Sequence, residues 1–266
     1  MPSLPSEPLP AASAILLRHQ PGGPPQLLMA GRGNDMRFAA GALVFPGGRV
    51  DPADLATAHD PHLAQGFEAL DAEDAAARIA AVRETLEETG LLLTTGPIPD
   101  PDMLDNARRL LATGPDADEA CTFAALIAGL GHVVQAGVLH PFAAWQPAAE
   151  AQVTRRYLAR FYLIDISQHD IAHLSPDGQE AITLHWLTAA DVLSHHLHAL
   201  VFPTRCLLAR IAQYPDIPAL LASAARHGST MVQPRFSQRN GETWVSIPDG
   251  LDYPFTEAPL ASLRCT

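Results

Sequence analysis

The stretch RETLEETG, residues 83–90, sets three glutamates, Glu84, Glu87 and Glu88, at positions i, i+3 and i+4. On a helix advancing about 100° per residue these carboxylates share an arc of roughly 100°. Ile79, Val82 and Leu86 take the opposite face, so the segment reads as an amphipathic helix whose acidic stripe turns away from a core. Three like charges repel one another, and near a helix C-terminus the macrodipole disfavours each by a further ~0.3–1 kcal/mol. Something cationic must offset this. Clustered carboxylate oxygens are the preferred protein ligands of hard divalent ions such as Mg2+ or Mn2+, and Arg83 can brace the cluster from its flank. A bare ExxEE run is also what a solvated acidic helix end looks like, so the neighbourhood has to decide.

The elements that must position these groups are readable. ASAILLRH and PQLLMAGR, separated by QPGGP, form a hairpin pattern, and GALVFPGG is a third strand ending in a tight glycine turn. From Asp71 to Thr89 the chain is Ala-rich without Pro or Gly, and Gly90 stands where a helix ends in the left-handed conformation. LLLTT then reads as a short buried strand. MLDNARRLLA reads as a short helix, CTFAALIAGLG fits either a helix or a buried strand with its alanines favouring helix, YLARFYLIDIS and AITLHWL are strands, and a helix follows from Thr188. TRCLLARIAQY and IPALLASAARHG are two further helices. Interleaved strands and helices predict an α/β sandwich with a mixed sheet. The expected organisation is a flexible arm at 1–10, one domain at 11–225 with helical additions near 97–135 and 203–226, and an irregular extension at 226–266 packing on the domain.

Composition narrows the chemistry. An apolar fraction of 47% and a charged fraction of 17% suit a folded chain with a sizeable core. The net charge of −12 argues against nucleic acid or an anionic membrane as partner, and any anionic substrate needs local cations. All 17 basic residues are Arg, which excludes a phosphate-cradling P-loop Lys and a Schiff-base Lys. The 3 cysteines, Cys121, Cys206 and Cys265, form no CxxC pair, so the expectation is a reducing, cytoplasmic setting. The oligomeric state is left open, a homodimer included.

Gly48, Arg83, Glu84, Glu87, Glu88 and Gly90 together resemble the Nudix box, the signature of hydrolases that cleave a diphosphate joining a nucleoside to another moiety. The resemblance implies a Nudix-type α/β/α sandwich with extra C-terminal helices. It implies Mg2+ or Mn2+ held by Glu84, Glu87, Glu88 and the carbonyl of Gly47, with Arg83 beside them, and a turn that abuts the helix. Two departures stand out. Gly48 and Arg83 are much farther apart than in the compact pattern, which places an insert at about 50–70 that reads as a lengthened loop. The family's earlier glutamate would fall on Ala75, where Glu73 or Asp74 could substitute.

LMAGRGNDMRFAAGALVFPGG resembles the coenzyme A diphosphatase signature of one Nudix branch, through Arg32, Arg37, Gly41, Phe45, Pro46, Gly47 and Gly48. Those arginines would bind substrate phosphates. WQP, TRRYLARFYL, GQEAITLHWLTAADVL and FPTRCLLARIA look like the long Nudix hydrolases with a split box. There Glu180 occupies a place where relatives often hold another acidic ligand or base. The implied partner is a small nucleoside diphosphate derivative: coenzyme A or acyl-coenzyme A, with ADP-ribose or NADH as competitors. A silent nucleotide-binding domain is the rival of another class, and the intact box weighs against it. Zinc at His195, His196 and His198 lacks a carboxylate or thiol at ligand spacing. Trp145, Trp186 and Phe161 could stack on a base but sit in or beside strands, where aromatics are usually core.

Overall fold

The computed structural model describes residues 7–33, 41–112, 122–148, 156–228 and 230–263. Its first strand, β1 (Leu9–Arg18), shows why the chain must form layers. Alternate residues of a strand face opposite ways: Ala12, Ala14 and Leu16 enter one buried cluster, while Ile15 and Leu17 enter another. Strand β2 (Gln26–Arg32) repeats the division, with Leu28 in the first cluster and Leu27 and Met29 in the second. Both faces of the sheet therefore need a cover.

The chain continues through β3 (Leu43–Val44), β4 (Gly47–Arg49), helix α1 (Pro52–Ala58), β5 (Ala64–Gln65) and the long helix α2 (Ala72–Thr89). Helices α3 (Pro101–Ala112) and α4 (Phe123–Leu130) precede β6 (Val134–Gln135), β7 (His140–Trp145) and β8 (Tyr157–Asp165). Strand β9 (Ala181–Thr188) runs into α5 (Ala189–His195), and α6 (Phe202–Ile211) and α7 (Ile217–His227) follow. The chain then forms β10 (Met231–Val232), β11 (Arg235–Arg239), β12 (Glu242–Ser246) and β13 (Glu257–Pro259).

The main sheet has the order β10-β7-β8-β1-β2-β3, with β4 paired to β1 and β9 to β2. It is mixed: β1 runs parallel to β8 and antiparallel to β2 and β4. Helices α2, α3 and α4 cover one face through Ile79, Val82, Leu86, Leu104 and Ile127. Helices α5, α6 and α7 cover the other through Val192, Leu207, Leu208 and Leu220. The α/β/α sandwich is thus the architecture that the interleaved pattern predicts. Among the described residues no helix is long and apolar enough to cross a membrane.

Four local expectations change. Leu91 and Leu93 are buried, yet LLLTT forms no strand and only Thr95 pairs, in an isolated bridge to Val133; an apolar run reports burial, not pairing. Strand β1 begins at Leu9, inside the expected arm, because Leu9 to Leu17 pair with β8. The insert is not a bare loop, since α1 starts within it at Pro52. The C-terminal extension is not irregular: β11, β12 and β13 form their own sheet. Its hairpin turns at Asn240 and Gly241, with φ of 51° and 81°, the conformation that an Asn-Gly pair favours.

That extension is tied to the domain by Asp252, whose Oδ2 accepts from Tyr214 Oη (2.8 Å), Ser223 Oγ (2.8 Å) and Arg226 Nη2 (3.3 Å). The hydroxyls of Tyr214 and Ser223, with Arg226, hold the Asp252 pKa down to about 2. A depressed carboxylate stabilises the fold above its unfolded pKa, and the contribution is lost as pH falls through the folded value. Asp252→Asn should therefore cost no more than about 1 kcal/mol at pH 6, because the side chain is 36% exposed. Urea denaturation should show that difference shrinking between about pH 4 and pH 2.

Candidate active site

The glycine turn and the glutamate helix meet. Strand β4 pairs with β1 through Gly47 to Ser13 and Gly48 to Ala12, which fixes the turn on the sheet that α2 covers. The Gly47 N–H donates to Glu88 Oε2 at 3.1 Å. A Cβ at Gly48 would stand 2.5 Å from Glu84 Oε1, so a larger residue there would displace that carboxylate. Gly47 has φ of +155°, and a Cβ there would strike the backbone of Ala12 and Ser13. Gly47 was expected to offer its carbonyl; its observed contact with the cluster is through the amide.

The acidic stripe is covered rather than turned to solvent, and Glu88 is only 3% exposed. Part of the cover comes from the insert. Arg83 Nε donates to Asp54 Oδ1 at 3.0 Å and Nη2 to Asp54 Oδ2 at 3.1 Å, with Asp54 fully enclosed. Arg83 also reaches the Arg49 carbonyl (2.8 Å), Glu84 Oε1 (2.8 Å) and Glu87 Oε1 (3.2 Å). One guanidinium thus joins α1, β4 and α2. Asp54 is held in turn by the Asp51 N–H, 2.8 Å from its Oδ2, at the first turn of α1. Ala75, where the earlier glutamate of the resemblance would fall, lies in the core. Glu73 pairs with Arg160, and Asp74 with Arg78 and Tyr162, so both serve the other end of α2.

Burial pushes the Glu84 pKa up to about 7 against the opposing charge of Arg83, and Glu87 and Glu180 push the same way. Glu87 is raised as well, first by burial. Glu88 is raised well above the usual carboxylate range by burial and then by Glu84, with Arg32 and the Gly47 amide opposing. Burial works against the charge on Arg83, but Asp54, Glu84 and Glu87 outweigh it and keep the guanidinium firmly protonated.

Arg32 and Glu180 close a second side. Arg32 follows a break in register between β2 and β9, a feature that re-aims a side chain. Its Nη2 donates to Glu180 Oε2 at 3.0 Å, while its Nε is buried without a partner. Asp177 shapes the loop before Glu180 by accepting the amides of Gln179, Glu180 and Ala181. Arg37, the other expected phosphate contact, lies outside the described residues. Trp145 and Phe161 belong to the second core, and Trp186 lies beneath Arg18, whose guanidinium carbon is 4.3 Å from the ring.

The donor set fits a hard divalent cation in chemistry: carboxylate oxygens, gathered in a buried place where their charge is undercompensated. Their present directions serve other partners. Among the described residues no three His, Cys, Asp or Glu side chains converge as ligands, because Glu84 and Glu87 turn to Arg83 and Glu88 to the Gly47 amide.

Sequence reasoning missed Asp54, although its local signal was present. DPAD carries an N-cap Asp51, a Pro at the first helical position and a second acid in the first turn. It also missed Arg108, whose partners are distant in sequence.

A family model described as the NUDT19 Nudix domain matches residues 62–203, more than half of the chain, and the chain belongs to that family. The protein is accordingly a Nudix hydrolase. The glycine turn and Asp54 precede the matched residues. Among solved structures, a Nudix hydrolase from Alicyclobacillus acidocaldarius is 24% identical, with a TM-score of 0.66 over 82% of this chain and 97% of its own, and it agrees in fold. A MutT protein from Methanosarcina mazei Go1 is similar at 15% identity and a TM-score of 0.42, covering 79% of this chain and 97% of its own. That second likeness is too distant to bear on the fold.

Proposed function

We propose that the chain hydrolyses the diphosphate bond of a nucleoside diphosphate derivative with the help of Mg2+ or Mn2+, and that its substrate is coenzyme A or acyl-coenzyme A. The observation that carries the reading is the contact of Glu84 and Glu88 with the Gly47–Gly48 turn, with Arg83 locked beside them. Glu84, Glu87 and Glu88 are the residues that would hold the cation. When bound, it supplies positive charge to the diphosphate oxygens and makes phosphorus more electrophilic. Glu84 or Glu180, across the site, takes the proton from the attacking water. The new P–O bond forms as the bridging P–O bond breaks, and Arg32 faces the negative charge that gathers on phosphate oxygens. From coenzyme A the products are 3′,5′-ADP and 4′-phosphopantetheine.

The coenzyme A branch is supported by Arg32 in its signature position, with its buried Nε unpaired. Chromatography of products after incubation with coenzyme A, acetyl-coenzyme A, ADP-ribose and NADH, in Mg2+ and in Mn2+, tests the assignment. Release of 3′,5′-ADP faster than any other cleavage supports it; faster cleavage of ADP-ribose or NADH removes coenzyme A as the substrate. Arg32→Ala should raise KM about tenfold or more through the loss of a charge-assisted phosphate contact. Steady-state kinetics would show an unchanged KM if Arg32 only restrains Glu180.

A further inference from the structure

The glutamate cluster sits where a helix dipole is least hospitable, and a cation outside the Nudix box answers part of that cost. Arg108, on α3 and only 8% exposed, donates from Nε to the Glu87 carbonyl at 2.7 Å. Its Nη1 donates to Ser175 Oγ at 3.0 Å and its Nη2 to the Ser175 carbonyl at 2.8 Å. The Ser175 N–H returns to α2 by donating to the Thr89 carbonyl at 3.1 Å. Two of the carbonyls left unpaired at the end of α2 are thus satisfied, one by a positive charge.

From Ser175 the connection continues toward the opposite side of the site. Asp177 follows two residues on and gathers the amides of Gln179, Glu180 and Ala181, and Glu180 then meets Arg32. The fork geometry matters here, because a guanidinium can hold a helix carbonyl and a loop residue at once where an ammonium offers a point charge. Resting on the hydrolase reading above, we propose that Arg108 is a positioning residue: it clamps the carboxyl end of the glutamate helix to the loop that carries Glu180. The helical addition at α3 thereby sets the distance between the two acidic sides of the site. Arg108 touches no substrate; it acts through the Glu87 backbone and through Ser175.

A shift of about 1 Å between groups that act together can cost on the order of 100-fold in rate. Arg108→Met should therefore lower kcat about 10- to 100-fold with KM changed less than about threefold. Arg108→Lys should recover part of the loss, and Arg109→Met, its exposed neighbour bonded to Asn106, should behave as wild type. Hydrogen–deuterium exchange of the metal-free chain gives a second readout. In Arg108→Met the amides of Ser175 and residues 179–181 should exchange faster, while Ile15 and Leu16 of β1 stay protected. Wild-type kcat in Arg108→Met, or a loss that disappears once the unfolded fraction is corrected for, overturns the proposal. Unchanged exchange at Ser175 and 179–181 defeats the clamp alone, whereas a wild-type chain inert toward every nucleoside diphosphate derivative defeats the hydrolase reading alone.

Discussion

Glu88→Gln should lower turnover by roughly two to three powers of ten while leaving the chain folded. The size follows from removing a carboxylate that helps bring positive charge to the diphosphate, an effect of several kcal/mol at roughly 1.4 kcal/mol per power of ten. The fold survives because glutamine keeps the acceptor for the Gly47 amide and discards a charge that burial disfavours. With the folded pKa raised, the native state holds a proton that the unfolded chain releases, so this group weakens the wild-type fold as pH climbs from about 4.3 toward the folded value. In chelator, Glu88→Gln should then melt at or above the wild-type temperature at pH 8, with the gap closing toward pH 4. A variant with full turnover, or one that melts far below wild type in chelator, contradicts the role assigned to Glu88.

Asp54→Ala should cost about 3 kcal/mol of stability in urea denaturation and at least tenfold in kcat. Removing Asp54 takes from Arg83 its two-point partner, and the guanidinium has little solvent to turn to. Arg83 then keeps Glu84, Glu87, the Arg49 carbonyl and, at 3.9 Å, Asp51, so the two glutamates are drawn harder onto it. Asp54→Asn, which keeps the shape and one acceptor, should fall between. If Asp54→Ala proved as stable and active as wild type, the insert would be a spacer and not part of the site.

The difference between these two residues marks where the sequence is legible. Glu88 announces itself because helical spacing is local: i, i+3 and i+4 from Glu84 through Glu88, closed by Gly90 at φ 79°. The sandwich is legible because strand and helix patterns interleave along the chain, which calls for a sheet covered by helices. Asp54 is different. Its cap at the start of α1 could be read from DPAD, but its bond to Arg83 joins segments whose meeting is decided by the sheet. Covering of the acidic stripe was hidden likewise, because it depends on β4 and α1 folding back over α2. The Asn240–Gly241 turn was a local signal and could have been used; the alternation around it is short, which is why the extension reads as irregular. Arg108 carried no local mark at all, being one arginine of a pair on an amphipathic helix.

Anomalous diffraction from crystals soaked in Mn2+ would locate the cation. A manganese peak should appear beside the Gly47–Gly48 turn, bound by oxygens of Glu84, Glu87 or Glu88, with Glu88 displaced from the Gly47 amide. Manganese held only elsewhere, in a protein that hydrolyses its substrate in Mn2+, would contradict this placement.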